Sequence, residues 1–75
     1  MKKFKFVVWG KRNDGKAGSA VKELLKAFEI DNHNVFMCEH YGVGIQHMSL
    51  EQVQKALELV YENFSGLTVK IAAEN

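Results

Sequence analysis

Hydrophobic and polar positions along this chain change period several times, and each change marks an element. Phe4, Phe6 and Val8 alternate with Lys5, Val7 and Trp9, the period of two that a half-buried strand requires. Gly10 interrupts it, and Gly10, Gly15 and Gly18 then break up a stretch carrying Lys11, Arg12 and Lys16. From Val21 the period lengthens. Val21, Leu24, Leu25 and Phe28 recur at the spacing of one helical face, with Lys22, Glu23, Lys26 and Glu29 pointing away. Asp14 and Ser19 are both candidate N-caps. A start at Ser19 leaves the weak helix formers Gly15 and Gly18 in the loop, and is the one expected. Asp31-Asn32 closes this helix.

Asn34–His40 (NVFMCEH) is rich in β-formers and too short for a stable helix. A turn at Tyr41-Gly42, with Gly42 as its flexible residue, returns the chain along Val43–Met48 and makes a hairpin. That turn sets Phe36, Cys38, His40, Val43, Ile45 and His47 on one face. Val35, Met37, Glu39, Gly44, Gln46 and Met48 fall on the other, and a slip of one residue regroups them all. The second helix opens on a capping box, Ser49 with Gln52, and Met48 and Val53 are spaced as a hydrophobic staple. Leu50, Val53, Leu57, Val60, Tyr61 and Phe64 mark its apolar face, and Glu51 and Lys55 an i, i+4 pair. Leu59 falls outside that stripe, beside Lys55 and Glu62. Ser65-Gly66 ends the helix, with Gly66 in the left-handed C′ position. Leu67, Val69, Ile71 and Ala73 then alternate with Thr68, Lys70 and Ala72 as a closing strand.

The order β-α-β-β-α-β predicts an α+β, ferredoxin-like two-layer sandwich: one antiparallel sheet with both helices on one face. If Val43–Met48 were loop, the order would fall to β-α-β-α-β and a small parallel sheet. In the favoured arrangement Phe4, Phe6, Val8, Leu67, Val69 and Ile71 lie under the helices. The uncovered face then displays Lys5, Val7 and Trp9, with Thr68 and Lys70 beside them.

Length and composition narrow the classes. Seventy-five residues suffice for one domain, 1–75, with a thin margin of stability. No apolar run approaches the roughly 20 residues of a membrane span. The N-terminal residues MKKFKFVVWGKRNDG lack the apolar core of a secretory signal. One cysteine, Cys38, excludes an internal disulfide framework and suits a reducing compartment, so a cytoplasmic location is expected. The net charge of +1 conceals an asymmetry. Lys2, Lys3, Lys5, Lys11, Arg12, Lys16 and Lys22 stand against Asp14 alone in residues 1–22, a balance of +6, and residues 23–75 carry −5. Such a basic end suits a polyanion, and equally a solubilised strand and loop.

Four patterns bear on chemistry. Gly10–Ala17 (GKRNDGKA) fits the phosphate loop G-x-x-x-x-G-K-[ST] at all but its last position, where Ala17 removes the metal-binding hydroxyl. What survives is a basic helix start able to hold one phosphate or carboxylate. Tyr41–Met48 (YGVGIQHM) resembles the third-strand motif of RNA-recognition domains at Gly42 and Gly44 only, with Val43 and Ile45 in place of the stacking aromatics. Acylphosphatases share the expected fold and require an arginine in the first loop and an asparagine on a central strand. Arg12 meets the first requirement, while VGIQHM has no asparagine. His33, Cys38, His40 and His47 have no zinc-site spacing, and a Cys38–His47 nucleophile pair lacks an orienting group.

These readings converge on a non-enzymatic protein-binding module without cofactor or metal: a regulator, inhibitor or assembly component. It is expected to self-associate as a homodimer through the open sheet face. The alternative is a nucleic-acid-binding module, and both place the site at Lys5, Val7, Trp9, Lys11, Arg12, Lys16 and Lys70. A phosphate-directed hydrolase using Arg12 is the third.

Overall fold

The computed structural model describes residues 2–11 and 15–74. Strand β1 (Phe4–Gly10) leads to helix α1 (Lys16–Phe28), strand β2 (Val35–Met37), strand β3 (Val43–Met48), helix α2 (Leu50–Asn63) and strand β4 (Leu67–Ala73). The four strands form one antiparallel sheet in the order β2-β3-β1-β4. This is the ferredoxin-like two-layer sandwich, with β1 and β3 central and β4 flanking β1.

The core lies between the sheet and the two helices. Phe6, Val8, Ile45 and Met48 rise from the central strands to meet Ala20, Val21 and Leu24 of α1 and Val53, Ala56 and Val60 of α2, all buried. Val8 pairs with Val69 and Phe6 with Ile71, so the helix-side face of β1 and β4 is the one the alternation predicts. Lys5, Val7 and Trp9 share the other face with Ala72, Lys70 and Thr68.

Helix α1 begins three residues before Ser19. Gly15 is its N-cap, in the left-handed region (φ 80°) and without a side-chain cap, and Ser19 N–H already donates to the Gly15 carbonyl at 2.9 Å. Burial of Ala17 explains the earlier start, because it extends the inward stripe by one turn and outweighs the poor propensity of Gly18. At the far end Glu29, also left-handed, closes the helix, and Asp31 caps a short 3₁₀ turn at Asn32–Asn34 instead.

The hairpin pairs as expected in its elements but not in its register. Val35 opposes Ile45, Phe36 opposes Gly44 and Met37 opposes Val43. The turn is built on His40 and Tyr41, not on Tyr41 and Gly42: both are left-handed, with φ of 57° and 63°, and Gly42 N–H closes it onto the Glu39 carbonyl at 3.2 Å. Two positive-φ central residues are the signature of a type I′ turn, whose twist matches that of the strands. Cys38 N–H donates to the Gly42 carbonyl at 2.8 Å, so three residues, Glu39, His40 and Tyr41, separate the paired ends instead of two; the register moves by an odd number of residues, and Phe36 parts from Ile45. Gly42 has an ordinary extended conformation (φ −70°), so the turn does not require it to be glycine.

Beyond the hairpin, β3 carries a bulge. Phe6 opposes Ile45 while Phe4 opposes Met48, so Gln46 and His47 together face Lys5. His47 takes the left-handed conformation (φ 64°). The extra residue turns both Ile45 and Met48 inward although they are three apart.

Helix α2 starts as its sequence requires. Gln52 N–H donates to Ser49 Oγ at 3.1 Å and Ser49 N–H to Gln52 Oε1 at 3.0 Å, closing the capping box, and Met48 and Val53 are both buried. The inward stripe, however, centres on Val53, Ala56 and Val60. Leu57 and Leu59 flank it, half-buried, whereas Leu50 and Tyr61 are exposed. Phe64 is the C-cap, and Gly66 (φ 74°) lies two residues beyond it.

Candidate partner-binding face

The open sheet face is built by alternation from β1 and β4 and by the hairpin register from β2 and β3. One row across it reads Phe36, Gly44, Val7, Lys70. Two glycines in β3 make room for two rings. Trp9 of β1 lies over Gly42, and Phe36 of β2 lies over Gly44, in the space a β-carbon would fill at either position. The indole is also anchored, because Trp9 Nε1 donates to the Glu39 carbonyl at 2.9 Å. That carbonyl closes the turn as well, so Trp9 fastens the strained His40-Tyr41 corner to the middle of the sheet.

Between the rings Val7 is only 7 % exposed, although no helix covers this face. Neighbouring side chains supply its cover. Trp9 and Phe36 themselves are only partly buried and line a shallow groove of about 480 Å³ with Val7, Met37, Cys38 and Ala72. Its charged members are Lys5, Lys70 and Glu39. Lys5 Nζ stands 5.8 Å from the centre of the Phe36 ring, within cation–π range. The groove is thus an apolar, aromatic shelf with two lysines from adjacent strands.

Of the residues expected at a site, the structure brings together Lys5, Val7, Trp9 and Lys70. Lys11 follows the end of β1 and is exposed, and Lys16 opens α1; neither lines the groove. Arg12 lies outside the described residues, and with it the arginine of the hydrolase reading. Phe36 and Cys38 also line the groove; the sequence groups both with Ile45 and His47 and leaves that face unassigned. Only the true hairpin register assigns Phe36 to this face.

A second polar cluster ties down the sheet end. Glu74 accepts from His47 N–H at 2.5 Å and meets His47 Nδ1 at 2.7 Å, while its own N–H donates to the Lys3 carbonyl at 2.8 Å. The His47 backbone donor holds the Glu74 carboxyl below its ordinary range, partly offset by desolvation and aided by the His47 ring and Lys5. Asp31 is lowered in the same way by the backbone N–H of His33. Among the described residues no group of three His, Cys, Asp or Glu side chains converges as a metal site, and no helix is long and apolar enough to cross a membrane.

The architecture defines the chain as an α+β sandwich of ferredoxin-like type. It is similar to the solved structure of uncharacterized protein TM1266 from Thermotoga maritima, with a TM-score of 0.52 over 99 % of this chain and 96 % of that one. At 18 % identity the likeness is one of fold. No protein-family model matches the chain, and comparison with curated proteins gives no match.

Proposed function

We propose that this chain is a non-enzymatic protein-binding module whose contact surface is the open sheet face. Its partner presents an apolar or aromatic side chain flanked by carboxylates. The observation that carries this reading is the state of Trp9. Its indole is immobilised by the Glu39 carbonyl and the Gly42 backbone, yet it keeps part of its surface open to an apolar groove. A ring fixed before binding loses little freedom on binding, which is the property of an aromatic anchor. Lys5 and Lys70 select for negative charge and speed encounter. The lone thiol in the groove, Cys38, suits a reducing cytoplasm.

The presence of two lysines beside two sheet-laid rings supports a second reading, a stacking platform for single-stranded nucleic acid. One experiment separates them. Panning a displayed peptide library should enrich segments with an aromatic or aliphatic residue beside Asp or Glu, and Trp9→Ala should weaken the best by about 2 kcal/mol, or about thirtyfold. No enrichment, combined with quenching of Trp9 by oligo(dT) that fades steeply with salt, would transfer the face to nucleic acid.

A further inference from the structure

Away from the open face, the free edge of β4 and the flank of α2 above it form a largely apolar strip, with Lys2 and Glu51 beside Leu50 at one end. Connections of the β3–α2–β4 kind cross right-handed, which sets α2 over β1 and β4 with α1 on its other side. The right-handed turn of the helix then carries Leu50, Leu57 and Tyr61 onto the flank turned away from α1. Beneath them stand Val69, Ile71 and Ala73 on the helix side of β4. Leu50 is 55 %, Tyr61 63 % and Ile71 40 % exposed, three of the five most exposed large hydrophobic side chains among the described residues.

The strand below is equally unguarded. Strand β4 is paired on one side only, runs for seven residues and contains no proline. Its single charge, Lys70, points to the open face. The opposite edge, β2, is three residues long, the usual protection against stray pairing.

We infer that a second copy of this chain occupies the β4 edge. The two β4 strands pair antiparallel about a twofold axis perpendicular to the sheet, giving one eight-stranded sheet, and the two α2 flanks meet above the seam. The depth of the strip decides the occupant. An added peptide strand would pair with β4 and leave Leu57 and Tyr61 bare. The occupant must carry an apolar helix flank at the same height above its own edge strand, and this chain's own edge has that form. A strip whose middle carries no charge also meets its copy there without repulsion.

The register is restricted as well. Keeping both pairs of helices on one side requires that one residue of β4 oppose itself across the axis. Lys70 at that point would face Lys70, so among the registers that pair the most of Leu67–Ala73 the axis passes Val69 or Ile71; the second choice sets Lys70 against Ala72. This dimer leaves both open faces free and does not rest on the reading of the open face.

Sedimentation equilibrium from micromolar to millimolar chain tests it. The mass should rise with concentration toward twice the 8.5 kDa of one chain. Ile71→Lys and, separately, Tyr61→Glu should hold it at the monomer while leaving the circular dichroism unchanged. In a Cys38→Ser background, Ile71→Cys or Val69→Cys should give a disulfide-linked dimer on oxidation, according to the axis. Trp9→Ala should leave dimerisation intact. A wild-type chain that stays monomeric at millimolar concentration overturns the inference, as does a dimer lost in Trp9→Ala and kept in Ile71→Lys.

Discussion

The indole of Trp9 takes up the space that a side chain at residue 42 would need. A β-carbon built on Gly42 lies 2.6 Å from Trp9 Cε2, well inside contact distance. Gly42→Ala should therefore push the ring off the strand and break its bond to the Glu39 carbonyl. Loss of that bond together with local overpacking should cost about 2 kcal/mol. The denaturant midpoint should fall, and Trp9 emission should move to longer wavelength. Gly44→Ala meets the Phe36 ring, which has no polar anchor, and should cost less, about 1 kcal/mol. Equal midpoints for Gly42→Ala and the wild type would show that Trp9 does not fasten the turn.

Gly18 offers the opposite case. It lies inside α1, its φ is not in the left-handed region, and a β-carbon there meets nothing within 4 Å. Gly18→Ala should stabilise the fold by about 0.5–1 kcal/mol through helix propensity alone. Thermal unfolding of the two chains compares them directly. A lower midpoint for the alanine chain would mean that the first turn of α1 is not helical at this position.

Removing the cap of α2 should have a cost of known kind. Ser49→Ala takes away the acceptor of Gln52 N–H and leaves a helix-start donor without its partner, for about 1 kcal/mol. Ser49→Asp keeps an acceptor in place and should recover most of the loss. Urea titration of the three chains gives the comparison.

Acid should loosen the sheet end first. The carboxyl of Glu74 titrates below its ordinary value of 4.5 in the folded chain because His47 N–H donates to it. A lowered folded value means that the unfolded chain takes up its proton earlier as pH falls. The stabilisation is complete above about pH 4.5 and is lost as pH drops through the folded value. Asp31 contributes with the same sign from 3.8 downward. Glu74→Gln should flatten the acid limb of stability against pH while leaving Asp31's share. Carbon-detected titration of the Glu74 carboxyl checks the direction, and a value at or above 4.5 would refute it.

The elements of this fold could be read from their periods, and the errors cluster where one period cannot decide. Ala17 and Ala56 are buried without looking hydrophobic enough to anchor a stripe. Missing Ala17 put the start of α1 at Ser19. Without Ala56 the stripe of large apolar residues on α2 points toward Tyr61 and away from Leu59, whereas the buried face centres on Ala56. The face of β1 was legible because it alternates over seven residues, which is why Lys5, Val7, Trp9 and Lys70 come together as expected. Phe36 was not, because its facing depends on the His40-Tyr41 turn. Two non-glycine residues held at positive φ leave no mark in sequence when a distant tryptophan supplies the hold. Gly42 looked like a turn residue and is instead a seat for that ring.

The bulge in β3 makes the strand a buffer against length change. Lys5 faces Gln46 and His47 together, and the pairs on either side, Phe6 with Ile45 and Phe4 with Met48, are already in step with one another. A chain lacking one of the two residues would keep every inward side chain inward on both sides of the deletion. What it would forfeit is the hold on the terminal strand, since Glu74 grips His47 through the backbone N–H that the bulge turns outward. Insertions and deletions elsewhere in a sheet scramble which residues are inside. Here they change only how firmly the last strand is moored.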